Sequence, residues 1–121
     1  MVASRIWTMS MSEKEPQEQQ LALNPIGTRV LFENDKVRVW EVVLEPGEQQ
    51  GFHHHTLPYV VIGIEPGHNR ITSINGQVRE TDERPGHIVF QEAGQVHNLE
   101  NIGTTRYRNR LIEIKQPDGQ T

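Results

Sequence analysis

From Thr28 onward, apolar and β-branched residues arrive in short runs separated by turn-forming residues, and no stretch of any length repeats its apolar positions at a helical period. Arg29–Phe32 reads as a short strand, Glu33–Lys36 as a turn, and Val37–Leu44 (VRVWEVVL) as a second strand rich in β-formers. Pro46-Gly47 makes a corner before the extended segment that carries His53, His54 and His55. Tyr59–Ile64 (YVVIGI) is almost unbroken in its apolar character, and Pro66-Gly67 ends it. Asn69–Ile74 and Gln77–Thr81 flank Asn75-Gly76, a pair that favours the positive backbone angles of a tight hairpin. Arg84-Pro85-Gly86 leads into Ile88–Phe90, Val96–Leu99 follows, and Arg106–Lys115 closes the sheet. Strands recurring at this spacing predict an all-β chain, an antiparallel β-sandwich or jelly-roll barrel.

The N-terminal stretch has a different grammar. Residues 1–20 read as a short irregular tail, because Glu13–Gln20 is polar and cannot bury enough apolar area to offset the entropy of ordering. Met9-Ser10-Met11-Ser12 offers alternative starts, with Met11 a candidate for the natural one, and a short helix over Glu15–Leu23 is an option. Residues 21–121 then form a single domain, in keeping with a total of 121 residues.

Composition narrows the function classes. The absence of cysteine excludes disulfides, thiolate metal sites and cysteine nucleophiles. A net charge of −4, with arginines interspersed among glutamates and no basic stripe, argues against a nucleic-acid partner. No apolar run approaches membrane-spanning length and no secretory hydrophobic region opens the chain, so the cytoplasm is the expected compartment.

The histidines carry the candidate chemistry. On an extended segment residues two apart share a face, so His53 and His55 point one way and His54 the other. Two imidazoles on one strand can supply adjacent positions of a metal's coordination sphere. His97, in Gly94–Asn101, is the candidate for a third, since a barrel brings distant strands to one interior. Taken alone, the triplet equally suits a surface accident, and a lone His97 suits a satisfied core histidine.

The spacing around these residues resembles the two motifs of the cupin family. Gly47, five residues and His53-His54-His55 match the first, with Gly67 close to its last glycine. Gly86, Glu92-Ala93-Gly94, His97 and Asn101 match the second. Glu92 stands where the family has proline, and Tyr59 stands where it has a glutamate ligand. The resemblance covers roughly Thr28–Lys115, and the wording around the motifs is similar to the small single-domain cupins of the β-alanine degradation protein-like group.

That resemblance implies a cupin-type fold and one divalent metal ion on His53, His55 and His97, with iron expected and zinc, nickel, manganese or copper compatible with imidazole ligands. Three neutral ligands leave the ion its full charge, which favours an anionic bidentate substrate, and leave positions open for it. Three-histidine cupins include iron-dependent dioxygenases acting on thiols or diketones, which makes a dioxygenase acting on a small anionic molecule the leading expectation. The alternatives are a non-redox lyase or isomerase and a non-catalytic binding or sensing protein. A phenol titrates near 10 and ligates poorly, so Tyr59 is expected to face the cavity as a hydrogen-bond donor to substrate or metal-bound water.

Beyond the histidines, Arg106, Arg108 and Arg110 share one face of the last strand while Tyr107, Asn109, Leu111 and Glu113 share the other. The arginines read first as a solvated ladder and, more sharply, as candidates to clamp a substrate carboxylate at the barrel mouth. Glu92 is a candidate carboxylate to hydrogen-bond a metal ligand or to act as general base, and His68 and His87 are expected at the surface. In the strand after the triplet, Tyr59, Val61 and Gly63 should point inward and Val60, Ile62 and Ile64 outward. Three branched apolar residues on an outer face need cover, either from Leu21–Ile26 or from a second subunit, and a homodimer is the expectation.

Overall fold

The computed structural model describes residues 22–116, and among them there are strands and turns but no helix. The strands are β1 (Arg29–Glu33), β2 (Val37–Leu44), β3 (His53–His54), β4 (Tyr59–Glu65), β5 (Gly67–Ser73), β6 (Val78–Glu83), β7 (Ile88–Gln91), β8 (Val96–Asn101) and β9 (Tyr107–Ile114). They form two facing antiparallel sheets, ordered β1-β2-β9-β4-β7 and β3-β8-β5-β6. This is the all-β jelly-roll sandwich that the strand grammar predicts. The N-terminal tail, and nearly all of the helix considered over Glu15–Leu23, fall outside the described residues; Ala22 and Leu23, its last two, are not helical. No described helix is long and apolar enough to cross a membrane.

Turn chemistry sets the crossings. Gly76 takes a φ of 93°, and its amide donates to the Ser73 carbonyl at 2.8 Å, closing the β5–β6 hairpin at Asn75-Gly76 as expected. Pro66 ends β4, but the chain continues at once into β5 of the opposite sheet. Asn101, fully buried at the end of β8, holds the next turn closed. Its Nδ2 donates to the carbonyls of Leu44 and Thr105 at 2.9 Å, and its Oδ1 accepts from the Gly103 amide at 2.9 Å.

Strand parity decides what faces the interior. Along β9, Tyr107, Asn109, Leu111 and Glu113 are buried while the residues between them are half-buried. Across β2 and β9, Val42 pairs with Asn109 and Leu44 with Tyr107, so these four share the inner face. The apolar core is small: Val42, Leu44, Tyr59 and Leu111, with Ile26, Trp40, Val61 and Leu99 packed against it. Hydrophobic residues make up only 34% of the chain, and much of the interior is polar, including His53, His55, Asn69, Asn101, Asn109 and Glu113. Buried polar groups on this scale need partners or a ligand, and that is where the site lies.

Candidate metal centre

Strand β3 carries His53 and His54, and the ladder places His53 directly opposite His97 of β8. His55 is held one residue further on, where its amide donates to the Gln95 carbonyl at 2.8 Å and its carbonyl accepts from Gly94 at 2.7 Å. Alternation then turns His53 and His55 inward, each 1% exposed, and His54 outward to solvent. The three inward imidazoles pack edge-on, with ring centroids 4.8–4.9 Å apart. One nitrogen from each lies within 4.8 Å of the other two.

These residues fit a divalent ion. The His53 Nδ1 hydrogen-bonds the Gly51 carbonyl at 2.9 Å, which fixes the tautomer and leaves Nε2 with its lone pair facing inward. The Nε2 atoms of His55 and His97 face one another at 3.1 Å. Two nitrogens bound to one ion at about 2.0–2.1 Å are about 2.9–3.4 Å apart at octahedral to tetrahedral angles, so this separation suits a shared ion. The buried Nδ1 of His55 has no partner among the described residues. Electrostatics agree, because all three rings are held neutral. Burial lowers His53; burial, then the neighbouring His53, His97 and His54, brings His55 down to about 3; and burial, then His53 and Arg79, brings His97 to about 4. A neutral imidazole is the ligating form, available here well into the acid range.

Tyr59 is 3% exposed and lies flat on His55, with ring centroids 3.9 Å apart and planes 16° from parallel. Its hydroxyl donates to Gln95 Oε1 at 2.7 Å, and Gln95 Nε2 donates onward to Gln91 Oε1 at 2.9 Å. Burial raises the phenol's pKa, so it stays protonated. The one proton that sequence reasoning reserved for a substrate or bound water is therefore already committed to Gln95.

The histidines open into a cavity of about 170 Å³ between the sheets. Val42, Val61, Ile71, Val89, Leu99 and Leu111 are its aliphatic lining residues, with Arg79 and Gln91 among the others. Its remaining polar residues include Thr81, Glu83, His87, Tyr107 and Asn109. One edge strand of each sheet, β6 and β7, contributes much of this lining, through Arg79, Thr81 and Glu83 on one side and Val89 and Gln91, with the preceding His87, on the other.

Arg106, Arg108 and Arg110 are not brought to this cavity. They project from the outer face of β9, where Arg106 donates to Glu65 at 2.8 and 2.9 Å, Arg108 to Glu65 and Glu41, and Arg110 to Glu41 at 3.1 Å. Parity forces this outcome, since Tyr107 and Leu111 take the inner face and the residues between must point away. Glu92 is exposed in the β7–β8 turn and does not line the cavity. His68 sits on β5, half-buried, and hydrogen-bonds Asp82 at 2.6 Å and Glu80 at 3.2 Å. His87, expected at the surface, is partly exposed but also lines the cavity. Arg79, Gln91, Gln95 and Glu83 were not singled out by the sequence reading. Alternation along β6 from the Asn75-Gly76 turn was the available signal for Arg79 and Glu83.

No protein-family model and no curated protein matches the chain. Solved structures do resemble it. A cupin domain from Bordetella pertussis Tohama I is 28% identical over 73% of this chain and 91% of its own, with a TM-score of 0.69. An uncharacterised conserved protein with a double-stranded β-helix domain from Klebsiella pneumoniae is 20% identical over 89% of this chain and 94% of its own, with a TM-score of 0.62. A cupin superfamily protein from Desulfitobacterium hafniense is 15% identical over 78% and 84%, with a TM-score of 0.56.

Proposed function

We propose that this chain, which has the cupin fold, is a metal-dependent enzyme of the dioxygenase type that holds one divalent ion, iron by preference, on His53, His55 and His97 and acts on a small anionic molecule. The observation that carries this reading is the trio itself: two buried imidazoles and a half-buried third, all neutral, with the Nε2 atoms of His55 and His97 3.1 Å apart beside a largely apolar cavity. Within this reading it stands with the small single-domain cupins of the β-alanine degradation protein-like group, on the motif residues Gly47, His53, His55, Gly86, His97 and Asn101.

A redox-active ion here would supply oxygen activation and polarisation of a bound anion. The chain's own residues do the rest. His53 keeps its tautomer through Gly51, which presents a lone pair rather than a proton. Tyr59, bonded to Gln95, packs on His55 and restrains its ring. Arg79 adds positive potential beside His97, which draws an anion toward this end of the cavity. The apolar wall of Val61, Val89, Leu99 and Leu111 excludes water and so strengthens each of these interactions. A second reading, binding or sensing without turnover, draws support from the commitment of the Tyr59 proton to Gln95, which takes that hydroxyl donor away from a ligand. A non-redox lyase or isomerase would use the same site with the ion acting only as a Lewis acid.

Metal analysis of protein expressed in iron-supplemented medium tests the reading first, and about one ion per chain is expected. His97→Ala should abolish occupancy and His54→Ala should leave it intact, because His54 points to solvent. Equal losses from both substitutions would defeat the assignment. Oxygen uptake against small thiols, diketones and hydroxy or amino acids then separates turnover from binding.

A further inference from the structure

The cavity has two chemically opposite ends. One holds the histidines, with Arg79 beside His97. The ladder fixes where the other lies. Arg79 and Glu83 are both inward on β6, four residues apart, and Tyr59 and Gly63 are four apart on β4. At the strand rise this puts the two ends about 13 Å apart along the backbone. Between them the cavity is lined by Val61, Val89 and Leu111 of one sheet and Thr81 of the other.

The far end is rich in acceptors. The Glu83 carboxylate is 14% exposed, and one of its oxygens accepts from Thr81 Oγ1 at 3.0 Å. Its other oxygen lies 3.9 Å from His87 Nδ1, too far for a hydrogen bond. A carboxylate offers about four lone-pair sites, so most of its capacity is unused. Asn109 is 3% exposed and lines the cavity; its Nδ2 donates to the Tyr107 hydroxyl at 2.8 Å, while its Oδ1 has no partner. Tyr107 is pressed against this end by Gly67, where an added Cβ would stand 2.5 Å from the Tyr107 ring. A buried carbonyl oxygen without a donor is costly, and a carboxylate facing an apolar cavity more so. What satisfies both is a ligand group that brings several N–H donors and a positive charge.

We propose that the cavity binds an extended zwitterion, with an acid group at the histidine and Arg79 end and a protonated amine at the far end, held by Glu83 and the free Oδ1 of Asn109. This rests on the metal-centre reading only for the acid end. The amine end stands on Glu83 and Asn109 alone. Glu83 and Asn109 are then specificity-determining residues: a plain carboxylate of equal length leaves both acceptors unpaired and binds more weakly. The cavity volume of about 170 Å³ suits a small ligand.

The test is calorimetric titration of zinc-reconstituted protein, in which no redox turnover occurs, with a ladder of ω-amino acids from glycine to 8-aminooctanoate and the matching plain carboxylates. The expected result is an optimum at intermediate length, where the amino acid binds at least tenfold more tightly than its carboxylate partner. The isosteric Glu83→Gln should bring that ratio close to one without changing affinity for the carboxylate. Arg79→Gln should weaken both ligands by a common factor. Equal affinities in the wild type, a ratio that survives in Glu83→Gln, or no binding of any member would each overturn the proposal. Repeating the series without metal separates the two readings. If metal adds nothing to carboxylate affinity, the acid end is misassigned while the ratio still reports on Glu83.

Discussion

At the scale of single residues, the consequence of burying three imidazoles is a pH-dependent stability. His55, brought to about 3 chiefly by burial, and His97, brought to about 4 by burial, resist protonation in the folded state. In the unfolded chain a histidine takes up a proton near pH 6.5. Between these values the unfolded state binds protons that the native state does not, so stability is complete above about pH 6.5 and is lost as pH falls toward 4. The slope is about 1.4 kcal/mol per pH unit for each such proton. His68 acts with the opposite sign, because hydrogen bonds to Asp82 and then Glu80 raise its pKa, so its contribution is present at low pH and fades as pH rises through its folded value. Denaturant titrations of metal-free protein between pH 7 and 5 should show falling stability, steeper in His68→Gln and shallower in His55→Gln. A slope that His55→Gln leaves untouched would mean that this ring is not buried neutral.

At the scale of elements, the approach of the β6–β7 turn to β4 depends on one missing side chain. The Gly63 amide donates to the His87 carbonyl at 2.9 Å, and the Gly86 amide donates to the Gly63 carbonyl at 2.8 Å. An added Cβ on Gly63 would stand 2.3 Å from the Arg84 carbonyl oxygen, and backbone cannot swing aside as a side chain can. Gly63→Ala should therefore lift the turn that positions His87 and cost about 1–3 kcal/mol, read as a lowered thermal midpoint. An unchanged midpoint would mean that the turn does not pack on Gly63. The glycine was legible in the sequence as an inward position of the Tyr59–Ile64 strand; the reason for it was not, because the partner lies on a turn more than twenty residues away. The histidine pair was legible for a local reason, two-residue periodicity, and His97 through the motif spacing around it. The outward course of Arg106, Arg108 and Arg110 was half-legible: alternation sorted them onto one face, and Tyr107 and Leu111 on the other marked which face is buried. Arg79 and Glu83 escaped because β6 (VRETDE) has no apolar face to orient it. Its inward side is polar because it faces a cavity, not a packed core.

For the whole molecule, the open question is what covers the outer face of the five-stranded sheet. The ladders set Phe90 beside Val60, Val60 beside Ile112, Ile112 beside Val39, and Val39 beside Phe32, an apolar row that crosses all five strands. Ile88 and Ile62 extend it on one flank. Phe90, Phe32 and Ile88 are 54%, 55% and 64% exposed, more than a solvated sheet face of a polar chain should leave open. Of the two covers considered, the described part of the N-terminal segment is engaged elsewhere: Ile26 packs on the core, its carbonyl accepts from Gln50, and Asn24 bonds to Phe52. A second copy suits the row because a two-fold axis through its centre lays Phe90 and Phe32 of one subunit over Phe32 and Phe90 of the other, as an isologous interface requires. Beside the row Arg29, Arg106, Arg108 and Arg110 share Glu41 and Glu65, which offsets about half of their positive charge as two like faces approach. The expected state is therefore a homodimer at micromolar concentration by sedimentation. Val60→Lys within the row should give folded monomer that keeps its metal, since Val60 points away from the cavity. Removal of residues 1–20 should leave the dimer intact if the second copy is the cover. A wild-type monomer, or a dimer indifferent to Val60→Lys, would leave this face without a partner subunit.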